Sequence, residues 1–144
     1  MRSRTFLIAA LCAVAPSFSD VASAQEVRHI NPGSATDAAG SAFSGAVQVG
    51  NTLYLSGVLG RGDTGEDAAR AALNSMRGTL EQAGMTMDDL VNVQVYAANL
   101  GDYAAFNTVY RTYFTREFPA RAFLGAGSLL ANARFEVVGI AVRR

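Results

Sequence analysis

"FPARAFLGAGSLLANARFEVVGIAVRR", residues 118–144, holds two short apolar runs, each interrupted by one charge. The second run, residues 134–142, is apolar at successive positions rather than alternate ones. That is the pattern of a strand covered on both faces. Helices can cover one face, and the other then needs a second copy of the chain or a loop of the same chain folded over it. An oligomer is the expectation. In the first run, residues 120–126, Arg121 shares a face with Phe123 and Gly125 by period two. In the second, Glu136 shares a face with Arg134, Val138 and Ile140. A guanidinium keeps its charge in any protein environment, and a carboxylate is uncommon inside an apolar strand. If the two strands pair as a hairpin, Arg121 and Glu136 lie near one another. Two readings stay open: a salt bridge of little net stability, or a divided site. In the divided site Arg121 grips a ligand carboxylate bidentately and Glu136 orients water or moves a proton.

Upstream, residues 27–31 read as a short strand stopped by Pro32-Gly33, and residues 33–42 as a loop. Strands over 45–49 and 52–57 flank Gly50-Asn51, a two-residue hairpin signal. Residues 59–67 read as a loop in which Asp63 and Glu66 start a helix. Ala69, Leu73, Met76, Leu80 and Ala83 recur at helical spacing, and Gly84 supplies the stop. In residues 90–98, Val91, Val93, Val95 and Ala97 alternate with Asn92, Gln94 and Tyr96, the pattern of a half-buried strand. Asp102 is placed to cap a second helix with an apolar stripe at Phe106, Val109, Tyr110, Tyr113 and Phe114. The order β-β-β-α-β-α-β-β predicts a two-layer α+β domain, with two helices on one face of a sheet of about six strands.

The N-terminus is of another kind. Arg2 and Arg4 precede an apolar run, and Ala22-Ser23-Ala24 precedes Gln25. This reads as a secretory signal peptide over residues 1–24, with the domain at 25–144 exported to the periplasm or secreted. The apolar run falls short of the roughly 20 residues that span a bilayer, so no membrane anchor is expected once the leader is removed. The one cysteine, Cys12, leaves with the leader, and the domain must hold together in an oxidising compartment by packing alone. All 12 basic residues are arginines, balanced by 12 acidic ones, which gives no electrostatic case for a nucleic-acid partner. Without lysine there is no Schiff-base or P-loop chemistry, and with one histidine there is no serine triad or histidine-based metal site within one chain. That histidine, His29, reads as an exposed strand residue. Arginines, carboxylates, hydroxyls, backbone groups and water remain for chemistry.

Beyond these physical readings, residues 118–144 resemble the C-terminal signature of the Rid (reactive intermediate deaminase) family, also called the YjgF family. Its members carry a Pro-Ala-Arg strand followed by a Glu-containing strand ending in Ile-Ala. "VGNTLYLSG" resembles the family's hairpin, "LNSMRGTLEQAG" the end of its first helix, and "GDYAAFNTVYRTYF" its second helix. The resemblance covers the chain from about Val27 onward. It implies a chorismate-mutase-like homotrimer with clefts between subunits, and hydrolysis of 2-aminoacrylate, 2-iminopropanoate and 2-iminobutanoate to 2-oxo acids and ammonia. It implies no cofactor and no metal. The residue matching Arg121 holds the substrate carboxylate, that matching Glu136 handles the attacking water, and those matching Ser56 and Asn107 line the cleft, with Gly57 beside Ser56. Read alone, Ser56 simply ends a strand and Asn107 sits on an exposed helix face.

The sequence departs from the family pattern at three places. Ser41-Ala42-Phe43 stands where many members have Gly-Pro-Tyr. Phe123 stands where a cysteine is common. The loop over residues 58–66 is shorter than usual and lacks prolines. The alternative to a deaminase is a non-catalytic binder of small carboxylates, or a chaperone-like protein, on the same trimeric scaffold. With a phenylalanine in place of the tyrosine, the expectation is weak turnover of the smallest imines with retained binding of 2-oxo acids.

Overall fold

The computed structural model describes residues 25–31 and 42–144. The predicted leader, Pro32-Gly33, nearly all of the 33–42 loop and Ser41, the first of the three residues that replace Gly-Pro-Tyr, lie outside the described residues. The two-faced apolar run forms β6 (Phe135–Val142). Before it come β1 (Val27–Ile30), β2 (Ala46–Val49), β3 (Thr52–Gly60), β4 (Leu90–Ala97) and β5 (Ala120–Gly125). They form one sheet in the order β1-β2-β3-β6-β4-β5. Among the described residues only β4 and β5 pair in parallel. Helices α1 (Gly65–Gln82) and α2 (Tyr103–Tyr110) cover one face, giving the expected two-layer α+β domain with a mixed six-stranded sheet.

The core sits between that face and the helices. Phe135, Val137 and Ala141 of β6, Leu53 and Leu55 of β3, and Val93 and Val95 of β4 meet Leu73, Met76 and Leu80 of α1 and Phe106 and Val109 of α2. All five stripe positions of the first helix are buried. Gly84 ends that helix at φ 68°, and the Gly84 and Met85 amides donate to the Glu81 and Leu80 carbonyls, each at 2.9 Å. This paired closure satisfies carbonyls that the helix leaves open. Gly50 alone has positive φ in the β2–β3 turn (56°), with Val49 opposite Thr52. Glycine is the residue that takes this first turn position without strain.

Several expectations are corrected. Arg121 and Glu136 do not lie on paired strands: β5 pairs with β4 in parallel and β6 lies on the other side of β4. The cause is the crossover. Parallel neighbours need a helix-length connection, which α2 supplies, while the stretch from Ala126 to Arg134 carries the chain back past β4. A strand apolar on both faces belongs in the middle of the sheet, and that is where β6 goes. The loop over 58–66 is shorter still, because β3 continues to Gly60. One extra residue is absorbed as a bulge between Leu55, opposite Gly139, and Val58, opposite Val137. A second irregularity between Leu90 and Asn92 buries Leu90 and leaves Val91 41% exposed, so Val91 does not join the buried face of β4.

The helix starts differ too. Thr64, not Asp63, caps α1: its Oγ1 accepts from the Asp67 amide at 3.1 Å. Asp102 precedes α2 but makes no cap bond. Its carboxylate instead pairs with Arg134 Nη1 at 3.0 Å. Arg134 also donates to the Gly62 and Asp63 carbonyls, tying the α1 entry to the α2 entry. The helical stripe of α2 is real over Phe106, Val109 and Tyr110, but the α-helix stops at Tyr110, and Tyr113 closes a 3₁₀ turn. His29 is exposed as expected.

Candidate active site

On β5, Arg121 points to the helix side of the sheet. Its register partner Val93 is a core residue, and Phe123, two positions on, packs edge-on against Phe106 and Phe135. The Arg121 guanidinium carbon lies 4.6 Å from the centre of the Tyr110 ring, and near 6 Å from those of Tyr103, Phe106 and Phe123. Cation–π attraction to these rings offsets part of the desolvation of the charge. It does not satisfy the N–H groups. Nη1 of Arg121 is buried and has no hydrogen-bond partner among the described residues. The Tyr110 hydroxyl is in the same condition. Burial pushes the Tyr110 phenol up to about 12, against the opposing pull of the Arg121 charge. A cavity of about 240 Å³ opens beside them between α2 and β5, lined by Tyr103, Asn107, Tyr110, Arg111, Phe118, Pro119 and Arg121.

The lining from α2 follows helical spacing. Tyr103, Asn107 and Tyr110 fall on one face at intervals of four and three, and Arg111 continues it. Asn107 is 8% exposed, which overturns the reading of an exposed helix residue and places it at the cavity. Tyr103, Tyr110, Arg111, Phe118 and Pro119 were not among the sequence-derived site residues. The signal for the tyrosines was their spacing from Asn107, which also fits a plain core stripe. Arg111 carried the same signal, four residues on from Asn107.

Glu136 lies elsewhere. It alternates with buried Phe135 and Val137, so it projects from the face opposite the helices. Its carboxylate sits against Gly57, so close that a side chain there would collide with Glu136 Oε1. Gly57 is part of the β3 bulge, which brings the β3 backbone close under the acid. Beside it, the Ser56 hydroxyl donates to the Ser44 carbonyl at 2.7 Å, and the Ser56 amide to the Gly45 carbonyl at 3.0 Å. Ser44 Oγ lies 2.9 Å from His29 Nδ1. Phe43, next in the chain, is 60% exposed.

Within one chain, then, the candidate residues form two groups. Arg121, Asn107 and Phe123 lie on the helix side near the β5 edge. Glu136 and Gly57 lie on the open side of the sheet, and Ser56 is beside them in the β3 bulge. A larger cavity, about 380 Å³, lies at Arg28 and Arg143. Those two arginines donate to the Gln82 and Ala83 carbonyls at the end of α1, so their role there is to close a helix.

Comparison with known proteins agrees with this architecture. The family model described as Endoribonuclease L-PSP matches residues 33–143. A 2-iminobutanoate/2-iminopropanoate deaminase of Dermatophagoides farinae is 40% identical over 108 residues, covering 69% of this chain and 84% of the relative. The human protein of the same description is 32% identical over 110 residues, covering 70% of this chain and 80% of the relative. The crystal structure of RidA from the Antarctic bacterium Psychrobacter sp. PAMC 21119 superposes with a TM-score of 0.70 at 27% identity, over 78% of this chain and 94% of that one. The chain belongs to the Endoribonuclease L-PSP family, the RidA/YjgF group that its C-terminal motifs resemble.

Proposed function

We propose that the protein is a 2-imino acid deaminase that hydrolyses small imines such as 2-iminopropanoate and 2-iminobutanoate to 2-oxo acids and ammonia. The observation that carries the site is the buried Nη1 of Arg121, unpartnered among the described residues, beside an aromatic-walled cavity. Leaving such a group unpaired costs on the order of 1–3 kcal/mol or more, and a ligand carboxylate satisfies it. The identity to deaminases over more than two thirds of the chain supports the reaction.

The chemistry needs little from the protein. An imine carbon is already electrophilic, so positioning and one general base suffice. Arg121 fixes the carboxylate. Glu136 takes a proton from water as its oxygen bonds to C2, and returns a proton to nitrogen as the C–N bond breaks and ammonia leaves. Arg121 and Glu136 of one chain face opposite sides of its sheet, so the reading joins Arg121 of one copy to Glu136 of the next. The open face carries Tyr54, Val138, Ile140 and Val142, an apolar surface suited to burial against other copies. A homotrimer with three such clefts is the assembly we propose, with light scattering as its check. A monodisperse monomer at micromolar concentration would remove the cleft.

We also propose that residues 1–24 are a leader removed before Gln25 on export. The family match begins beyond it, at residue 33. N-terminal sequencing of protein recovered from the periplasm tests this, and Met1 on a cytoplasmic protein contradicts it. The deaminase itself is tested by an amino-acid oxidase that releases 2-iminopropanoate, with semicarbazide trapping whatever imine escapes hydrolysis. Added protein should lower the trapped fraction. Trapping that stays unchanged at micromolar protein contradicts the activity.

A further inference from the structure

A monocarboxylate needs one guanidinium, and the cavity between α2 and β5 has two. Arg111 lines it together with Arg121, and no aspartate or glutamate among the described residues does. Like Arg121, Arg111 makes no ion pair among the described residues. The Arg121 charge is ringed by aromatic walls that exclude water, while Arg111 places a second positive charge at the exposed side of the same cavity. A ligand with one carboxylate relieves Arg121 and leaves Arg111 unmatched. A ligand with two relieves both.

The placement suits a short dicarboxylate. Arg111 follows Asn107 by four residues, about one helical turn or 6 Å along the axis. Asn107 is buried at the cavity, while Arg111 is exposed. The inner charge is caged by rings and the outer one stands exposed on a long aliphatic stem. A ligand held at C1 by Arg121 has Arg111 on the wall of the same cavity to receive a second carboxylate. The cavity volume of about 240 Å³ is on the scale of such a metabolite.

We infer that the preferred substrates are the 2-imino derivatives of dicarboxylic amino acids, 2-iminosuccinate and 2-iminoglutarate. This inference rests on the deaminase reading and narrows it. The reaction is the same balanced hydrolysis: water oxygen bonds to C2, the C–N bond breaks, ammonia leaves, and a 2-oxo dicarboxylate remains with no change in oxidation state. The reaction that supplies such a substrate is the two-electron oxidation of an acidic amino acid.

The test compares two imines in the trapping assay, 2-iminosuccinate released from D-aspartate and 2-iminopropanoate released from D-alanine, each by a suitable oxidase. A second charge-assisted contact should favour the dicarboxylate in kcat/KM by about tenfold. Arg111→Gln should bring that ratio towards one, and Arg111→Glu should invert it. Calorimetric titration with 2-oxoglutarate and 2-oxobutanoate reads the same preference in binding. A parent ratio of one or less, or a ratio that Arg111→Gln leaves in place, overturns the inference while leaving the deaminase standing. If neither imine is hydrolysed the deaminase reading falls, and the two titrations still decide the dicarboxylate preference on their own.

Discussion

Arg121 and Glu136 project from opposite faces of one sheet, with β4 between their strands. Arg121 sits among the rings of α2, and Glu136 rests on the Gly57 backbone beyond the layer of Phe135 and Val137. No side-chain rotation brings one to the other through a packed core. If both act on one substrate, they come from different copies.

That makes complementation between subunits a direct test. Arg121→Ala and Glu136→Gln should each be inactive alone. Unfolded together in equal amounts and refolded, they should form mixed assemblies. In a closed ring about one cleft in four then receives a native Arg121 from one copy and a native Glu136 from the next, so about a quarter of parent activity returns. Absence of recovery in assemblies proven to be mixed would argue against a cleft built by two copies.

For Arg121 the prediction concerns binding before catalysis. Arg121→Ala should weaken 2-oxobutanoate by about tenfold to a hundredfold, the range for losing charge-assisted hydrogen bonds. The thermal midpoint should change little, because Nη1 has no described protein partner to strand. Arg121→Lys should recover little affinity, since an ammonium lacks the planar fork. Calorimetry on parent and variants reads this. Full affinity in Arg121→Ala would assign the carboxylate to another cation.

Gly57 is predicted to matter through Glu136. A methyl at Gly57 collides with the Glu136 carboxylate, which is the movable end of a side chain, so the acid shifts while the backbone holds. Gly57→Ala should therefore lower kcat by about tenfold to a hundredfold, towards the loss expected without the general base. Binding of 2-oxobutanoate and the melting temperature should stay close to the parent's. A variant with full kcat would mean that the seat of Glu136 is not required.

Tyr110 gives a prediction in pH. Its phenol titrates near 12 in the fold against about 10 in an unfolded chain. Between those values the unfolded chain gives up a proton that the folded chain keeps. The stabilisation is complete below pH 10 and is lost as pH rises towards 12. Tyr110→Phe should flatten the decline of the melting temperature over that window. An unchanged slope would show that other groups govern alkaline unfolding.

Local pattern carried most of the fold. The stripe from Ala69 to Ala83, the Gly84 stop and the Gly50 turn each depend on neighbours in sequence, and each stands where its spacing placed it. The pairing of β5 did not follow, because two strands adjacent in sequence resemble a hairpin until the crossover helix before them is weighed. Period two assigned Arg121 and Glu136 correctly within their own strands. It could not say which face of each strand met the helices, and that decides whether the two charges form a salt bridge or a divided site. The bulge at Ser56-Gly57 and the turn of Asn107 into the cavity were hidden for a related reason. Both depend on what a distant strand places opposite them.

Phe43 carries the last prediction. It stands where the family resemblance leads one to expect a tyrosine, and its neighbour Ser44 is held by both His29 and Ser56. The segment that presents Phe43 is thus anchored to the bulge that seats Glu136, and Phe43 itself is largely exposed on the single chain. A neutral hydrogen bond contributes about 0.5–1.5 kcal/mol net, so a missing hydroxyl accounts for roughly a tenfold loss at most. Phe43→Tyr should raise turnover of 2-iminopropanoate by up to that factor, with 2-oxo acid affinity changed less, because Arg121 dominates binding. Parallel trapping assays on parent and variant measure it. Equal turnover, with a fully active parent, would place the ring outside the cleft. No turnover in either protein, with 2-oxo acid binding intact, would leave a carboxylate-binding protein on the deaminase scaffold.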